Sequence, residues 1–297
     1  MFMQPNDRLI IMNDAHNHLL PHEFSALAGV GVKTILFQGG FCWDTMQPAE
    51  DSPFNWDKID GFVAECDRAG LRALMPMICS LPDWFPPDWY YSKETSGPAH
   101  YIPSYTNPHA AQAIDGLITE AIARYSGAPV QFTFGMPSDG EFPTNFWPSL
   151  HDIDFPHEVL RDWIIGRQKV FVTQYNEVWT AYHPYTEPAW WNCVYDGLMA
   201  AFPEATHRQL VYTYWPHSGK ASVEQYVEAN RKRGIGMFVG SEWVTGLRAH
   251  MRWLQERGLY GFLTCPNHYT QINKRVTQWM LDDIAWSVKE LENYANV

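Results

Sequence analysis

A chain of 297 residues with 46% hydrophobic content can bury a large core, so it needs neither disulfide nor metal to hold it together. Its formal charge of -12 disfavours nonspecific binding to nucleic acid or to anionic lipid, because both partners are polyanions. The five cysteines, Cys42, Cys66, Cys79, Cys193 and Cys265, are odd in number and lack CxxC or CxxH spacing, which argues against structural zinc and suits a reducing compartment.

The opening residues, Met-Phe-Met-Gln-Pro-Asn-Asp, lack the basic-then-apolar order of a secretion signal. No apolar run reaches membrane-spanning length, so the expectation is a soluble, cytoplasmic protein. Leu9–Asn13 reads as a first strand and His22–Ala28 as a short helix. Lys33–Gln38 is the second strand; Asp57–Ala69 is a helix with Ile59, Phe62, Val63 and Cys66 on one face. Leu71–Met77 is the third strand, followed by a long loop from Cys79 to Pro108 rich in Pro, Trp and Tyr, and a helix over Ala110–Tyr125. Val130–Phe134 is the fourth strand.

Pro156–Pro203 is mostly helical in period and offers no convincing fifth strand; Lys169–Thr173 is a poor candidate inside a helix. Gln209–Tyr214, Met237–Gly240 and Tyr260–Cys265 are the last three strands. Helices at Ser222–Arg233, Thr245–Arg257 and Asn273–Glu292 separate them or close the chain. Alternating strands and helices with no linker or repeat predict an α/β fold, a single (β/α)8 TIM-type barrel over residues 1–297 with one irregular βα unit.

In such a barrel the site forms where strands end. Polar and aromatic residues collect there: Trp43 and Asp44 after strand two, and Asp83, Trp84 and Trp89 after strand three. Asp139, Glu141 and Trp147 follow strand four, Trp215 and His217 the next clear strand, Glu242 and Trp243 the one after, and Asn267, His268 and Tyr269 the last. The remaining tryptophans (Trp56, Trp163, Trp179, Trp253, Trp279, Trp286) mostly fall on helices, where packing of the barrel's outer layer is the expectation. A sugar presents apolar C–H faces and rings of hydroxyls, so its cleft wants flat aromatics beside carboxylates and amides. Two carboxylates, one protonated and one ionised, suffice to cleave a glycosidic bond without a cofactor.

Several segments carry a family likeness. Gly39-Gly-Phe-Cys-Trp-Asp-Thr-Met-Gln-Pro48, Phe54-Asn-Trp-Asp-Lys-Ile-Asp60, Ala69-Gly-Leu-Arg-Ala-Leu-Met-Pro76 and Leu81-Pro-Asp-Trp84 resemble the opening third of barrel glycoside hydrolases. The likeness is to the β-galactosidase-like families of the large retaining clan and, more loosely, to β-amylases. Ser138-Asp-Gly-Glu141 stands where that clan keeps its acid/base and Gly240-Ser-Glu242-Trp243 where it keeps its nucleophile. The resemblance implies hydrolysis of a β-linked glycoside with Glu141 and Glu242 catalytic, no metal, and an oligosaccharide or glycoside as partner. Trp43, Asp44, Trp84, Asp139, Trp215, His217, Trp243, Asn267 and His268 are the expected substrate-binding set.

The clan usually places Asn before its acid/base; here Gly140 stands there, a Gly-Glu pair that looks more like the inverting β-amylases. Retention sets the carboxyls about 5–5.5 Å apart and inversion about 6.5–9.5 Å; retention is the expectation. Two other readings compete. His16 and His18, just after strand one, resemble the metal ligands of amidohydrolase-type barrels. That site would need an Asp after the last strand and a Lys or carboxylate after the fourth, and the last strand is followed by no Asp. A catalytically silent carbohydrate-binding barrel would keep the aromatics without needing both glutamates.

Overall fold

The computed structural model describes residues 5–13, 17–39, 41–77, 80–93, 101–134, 157–171, 175–182, 188–212, 220–241, 247–266 and 275–295. The strands are β1 (Leu9–Asn13), β2 (Thr34–Phe37), β3 (Arg72–Met77), β4 (Tyr90–Lys93), β5 (Tyr101–Pro103), β6 (Val130–Phe134), β7 (Glu177–Tyr182), β8 (Thr206–Tyr212), β9 (Gly236–Ser241) and β10 (Gly261–Thr264). Between them run α1 (Pro21–Gly29), α2 (Trp43–Met46), α3 (Asp57–Ala69), α4 (Pro108–Arg124), α5 (His157–Phe171), α6 (Pro188–Ala201), α7 (Lys220–Arg233) and α8 (Leu247–Arg257), with α9 (Gln278–Ala295) last. Eight of the strands pair in parallel and close a barrel in the order β1-β10-β9-β8-β7-β6-β3-β2, while β4 and β5 form a separate antiparallel hairpin. This is the (β/α)8 architecture.

Local sequence explains the helices. On α3, Ile59, Phe62, Val63 and Cys66 recur at helical spacing and are buried. The helix stops at Gly70, whose φ of 69° is left-handed and open to glycine without penalty. On α4, the Asn107 side chain accepts from the backbone N–H groups of His109 and Ala110 at 2.9 and 3.2 Å, and Pro108 occupies the first turn.

Most barrel strands serve two cores by alternation. Outward residues such as Leu9, Ile11, Ile35, Phe37, Met75, Phe132, Val178 and Val239 pack against the helices. Inward residues Ile10, Met12, Leu36, Leu74, Trp179, Leu210, Phe238, Leu263 and Cys265 fill the lumen. The lumen is a packed plug, so its two ends are separate environments. No helix among the described residues is long and apolar enough to cross a membrane.

The structure departs from the sequence reading in four respects. The fifth barrel strand exists and is β7, Glu177–Tyr182; Lys169–Phe171 belongs to α5. Trp179 lies on that strand and fills the lumen beside Phe238, ring centroids 5.4 Å apart, instead of packing an outer helix. Trp279 on α9 is 48% exposed, so it does not pack the outer layer either. The long loop after β3 contains the β4–β5 hairpin, and its residues 94–100 lie outside the described set.

Charges line the lumen near the strand starts. Arg72 donates to Glu177 at 3.1 Å, and the Trp179 indole N–H donates to the same carboxylate at 2.6 Å. Both partners of the ion pair are nearly buried, so truncating either would strand a charge at a cost of about 3–5 kcal/mol.

Sheet closure leaves no room for side chains at one position. A Cβ on Gly261 would lie 2.3 Å from the carbonyl oxygen of Arg8 and 2.6 Å from the Phe238 ring. Gly116, exposed on α4, has nothing within 4 Å. Urea unfolding should therefore show Gly261→Ala destabilised by about 2 kcal/mol or more. Gly116→Ala should gain about 1 kcal/mol from helix propensity. Equal midpoints for the two variants would contradict the closure geometry.

Candidate active site

The C-terminal ends of the eight parallel strands open on one face. On the shorter way round the barrel β6 and β9 are separated by β7 and β8, so their ends stand well apart on that single mouth. β6 ends at Phe134, and Glu141 follows seven residues later; β9 ends at Ser241, and Glu242 is the next residue. Glu141 and Glu242 themselves lie outside the described residues. So do Asp139, Trp215, His217, Trp243, Asn267 and His268, in the segments that follow β6, β8, β9 and β10.

The part of the mouth that is described lies beyond β2 and β3. Pairing continues past both strands as a bridge between Cys42 and Ser80, which brings two loops side by side. Across it the Ser80 hydroxyl donates to the Asp44 carboxylate. Asp44 is therefore anchored in a fixed orientation, partly exposed on the first turn of α2.

Trp43 and Trp84 meet edge to face, with ring centroids 6.2 Å apart and an interplanar angle of 81°. Phe85 packs edge-on against both, at 4.9 and 5.0 Å. Trp43 is 2% exposed and its indole N–H donates to Oε1 of Gln47 at 2.9 Å. Its burial assigns it to holding the loop, since no face of the ring is free to stack on a ligand. Trp84 is half-buried, and its N–H donates to the Gln47 carbonyl at 2.8 Å. One glutamine thus clamps both indoles, while its amide N–H groups reach the carbonyls of Glu50 and Ser52. Neither Gln47 nor Ser80 was singled out from sequence. Each has ordinary polar neighbours in the chain, and only the folded loops reveal its partners.

Beside β1, the buried Asn13 accepts from the Leu19 N–H at 2.7 Å and lies 3.3 Å from Nδ1 of the exposed His18. Arg275 donates to the His18 carbonyl at 2.9 Å, and Val276 N–H donates to Glu23 at 2.9 Å. These contacts tie the segment before α9 to the start of α1. His16 lies outside the described residues, and among those described no group of three or more His, Cys, Asp or Glu is placed to hold a metal ion.

The two indoles should separate in stability measurements. Trp43→Ala should cost about 3–5 kcal/mol, the range for emptying a buried aromatic site. Trp84→Ala should cost clearly less, because part of its surface already faces water. Urea midpoints showing the reverse order would contradict the packing described.

No protein-family model and no curated protein matches the sequence. The fold, by contrast, has many solved counterparts. The catalytic domain of a β-amylase from Paenibacillus polymyxa superposes with a TM-score of 0.65 at 13% identity, covering 95% of this chain and 98% of that one. A β-galactosidase from the psychrophilic Marinomonas ef1 gives 0.62 at 9% identity, covering 97% of this chain but 60% of its own length. A glycoside hydrolase family 5 enzyme from Prevotella bryantii, in complex with a xyloglucan tetradecasaccharide, gives 0.59 at 12% identity with 97% of each chain covered. At these identities the likeness establishes the barrel, and the structural neighbours carrying it are glycoside hydrolases.

Proposed function

We propose that this chain is a glycoside hydrolase that cleaves a β-linked glycoside, with Glu141 as general acid/base and Glu242 as nucleophile. The observation that carries the reading is the closure of the parallel barrel, which brings the ends of β6 and β9 to one mouth. Register adds support: the lumen row of β9 is Gly236, Phe238 and Gly240, and 242 is the next even position. Beside the mouth, Asp44 and Trp84 offer a carboxylate and an aromatic face of the kind a sugar needs.

The chemistry follows from two carboxyls of opposite protonation. One, held protonated, gives its proton to the leaving oxygen as the C–O bond breaks. The other, ionised, attacks the anomeric carbon; water then releases the sugar as the first group takes a proton back. No cofactor is required by this sequence of steps. Residues 1–297 would act as a single catalytic domain on an oligosaccharide or aryl glycoside. The reading extends to a cytoplasmic setting, supported by an odd number of cysteines scattered without paired spacing.

A screen of aryl β-glycosides and oligosaccharides, with product anomer followed by NMR, should find turnover with retained configuration. Glu141→Gln and Glu242→Gln should each lower kcat by about 10²–10⁴-fold or more while leaving the urea midpoint unchanged. Wild-type activity in either variant would overturn the assignment, and activity abolished by chelators would favour a metal site at His16 and His18. Trp84→Ala should raise KM at least several-fold with a smaller change in kcat; an unchanged KM would remove Trp84 from the substrate cleft.

A further inference from the structure

The bridge that carries pairing past β2 and β3 joins Cys42 to Ser80, and it holds a group that the two-glutamate mechanism leaves unused. Phe41 and Trp43, on either side of Cys42, are buried in the outer core, and so is Leu81, next to Ser80. Side chains alternate along extended backbone, so Cys42 and Ser80 turn the other way, toward the axis of the mouth. On that inner side the Ser80 hydroxyl donates to Oδ1 of Asp44. Ser80 is itself only 2% exposed, whereas Asp44 keeps part of its surface open.

The carboxylate is only partly engaged. Ser80 takes one of its roughly four acceptor positions, and no other described residue donates to either oxygen or pairs with its charge. The two loops are already held together without it. Gln47 binds both indole N–H groups, and Trp43 packs edge-on against Trp84. A staple between loops needs no charge, whereas an ionised group with open acceptors suits donors that come from outside the chain.

Sugar hydroxyls are such donors. A hydrogen bond from a hydroxyl to a carboxylate is charge-assisted and stronger than one between neutral groups. Its value for recognition depends on orientation, because an acceptor free to rotate must be ordered when the ligand arrives. A buried serine bound to one oxygen removes that freedom before binding and leaves Oδ2 aimed away from the loop.

We infer that Ser80 is a positioning residue for substrate: it fixes Asp44 so that the open carboxylate oxygen accepts a ring hydroxyl of the sugar in the mouth. The inference rests on the glycosidase reading and adds a specificity element on the β2–β3 side. It also names a substrate class. A neutral sugar with a free hydroxyl fits Asp44, while a uronic acid brings a second carboxylate against it, and like charges in contact are costly.

The test uses the full chain with p-nitrophenyl β-glycosides of glucose, galactose, xylose and glucuronic acid, then with the monodeoxy analogues of the preferred substrate. The unmodified protein should prefer a neutral sugar, and removing one particular hydroxyl should lower kcat/KM at least tenfold. Asp44→Ala should lower kcat/KM on the parent sugar by a similar factor, yet lose little more on that deoxy analogue, since the contact is already gone. Ser80→Ala should show the same pattern with a smaller loss at an unchanged melting temperature. A loss in Asp44→Ala that is equal on the parent and on every deoxy analogue is the mark of a merely structural role and would overturn the inference. Preference for the glucuronide, or unaltered kinetics in Ser80→Ala, would overturn it too. Those results leave the glycosidase reading standing, whereas no turnover of any of these glycosides by the unmodified protein would sink both.

Discussion

Closure of the sheet between β10 and β1 is the constraint from which the rest of the molecule follows. The two strands pair in parallel from Leu9 with Phe262 to Ile11 with Thr264, and Gly261 lies where the Arg8 carbonyl makes any side chain impossible. A parallel sheet closed in this way has no free edge and sends every strand the same way. All strand ends therefore share one face, and residues far apart in the chain are brought to one mouth.

The same closure creates an interior that must be filled. Aliphatic side chains, Trp179 and Phe238 fill its middle, but its lower end is ionic. There Arg72 meets Glu177, with Asp7 and Thr34 nearby and the Trp179 indole as a further donor. Such a pair adds little net stability over a well-packed apolar substitute, yet either charge alone would be costly. It acts most strongly on register: slipping β7 by one residue would turn Glu177 outward and leave Arg72 buried without its partner.

At the upper end the described loops owe their shape to hydrogen bonds between segments. Gln47 holds Trp43 and Trp84, Ser80 holds Asp44, and Glu23 with Arg275 ties the chain before α9 to α1. These contacts fix one side of the mouth as a rigid aromatic wall. Under the proposed function, such rigidity would favour recognition of a flat sugar face, since less order must be imposed on binding.

Helix α3 was legible to the residue, because four apolar positions at helical spacing and a terminal Gly70 are local signals. Strand β6 was equally legible as a short apolar run before a turn sequence. Strand β7 was not, since Glu177 and Trp179 face a lumen whose partner, Arg72, lies 105 residues away in the chain. Trp43 shows the same limit at the mouth: its position after a strand suggested a platform, and packing against Trp84 and Phe85 made it a support. The sequence by itself determined the alternation of strand and helix, and hence the barrel, because periodicity and caps act over a few residues. Tertiary structure alone decided which side chains fill the lumen, which indole keeps an open face and where Arg72 meets Glu177, because burial and charge pairing depend on neighbours remote in the chain.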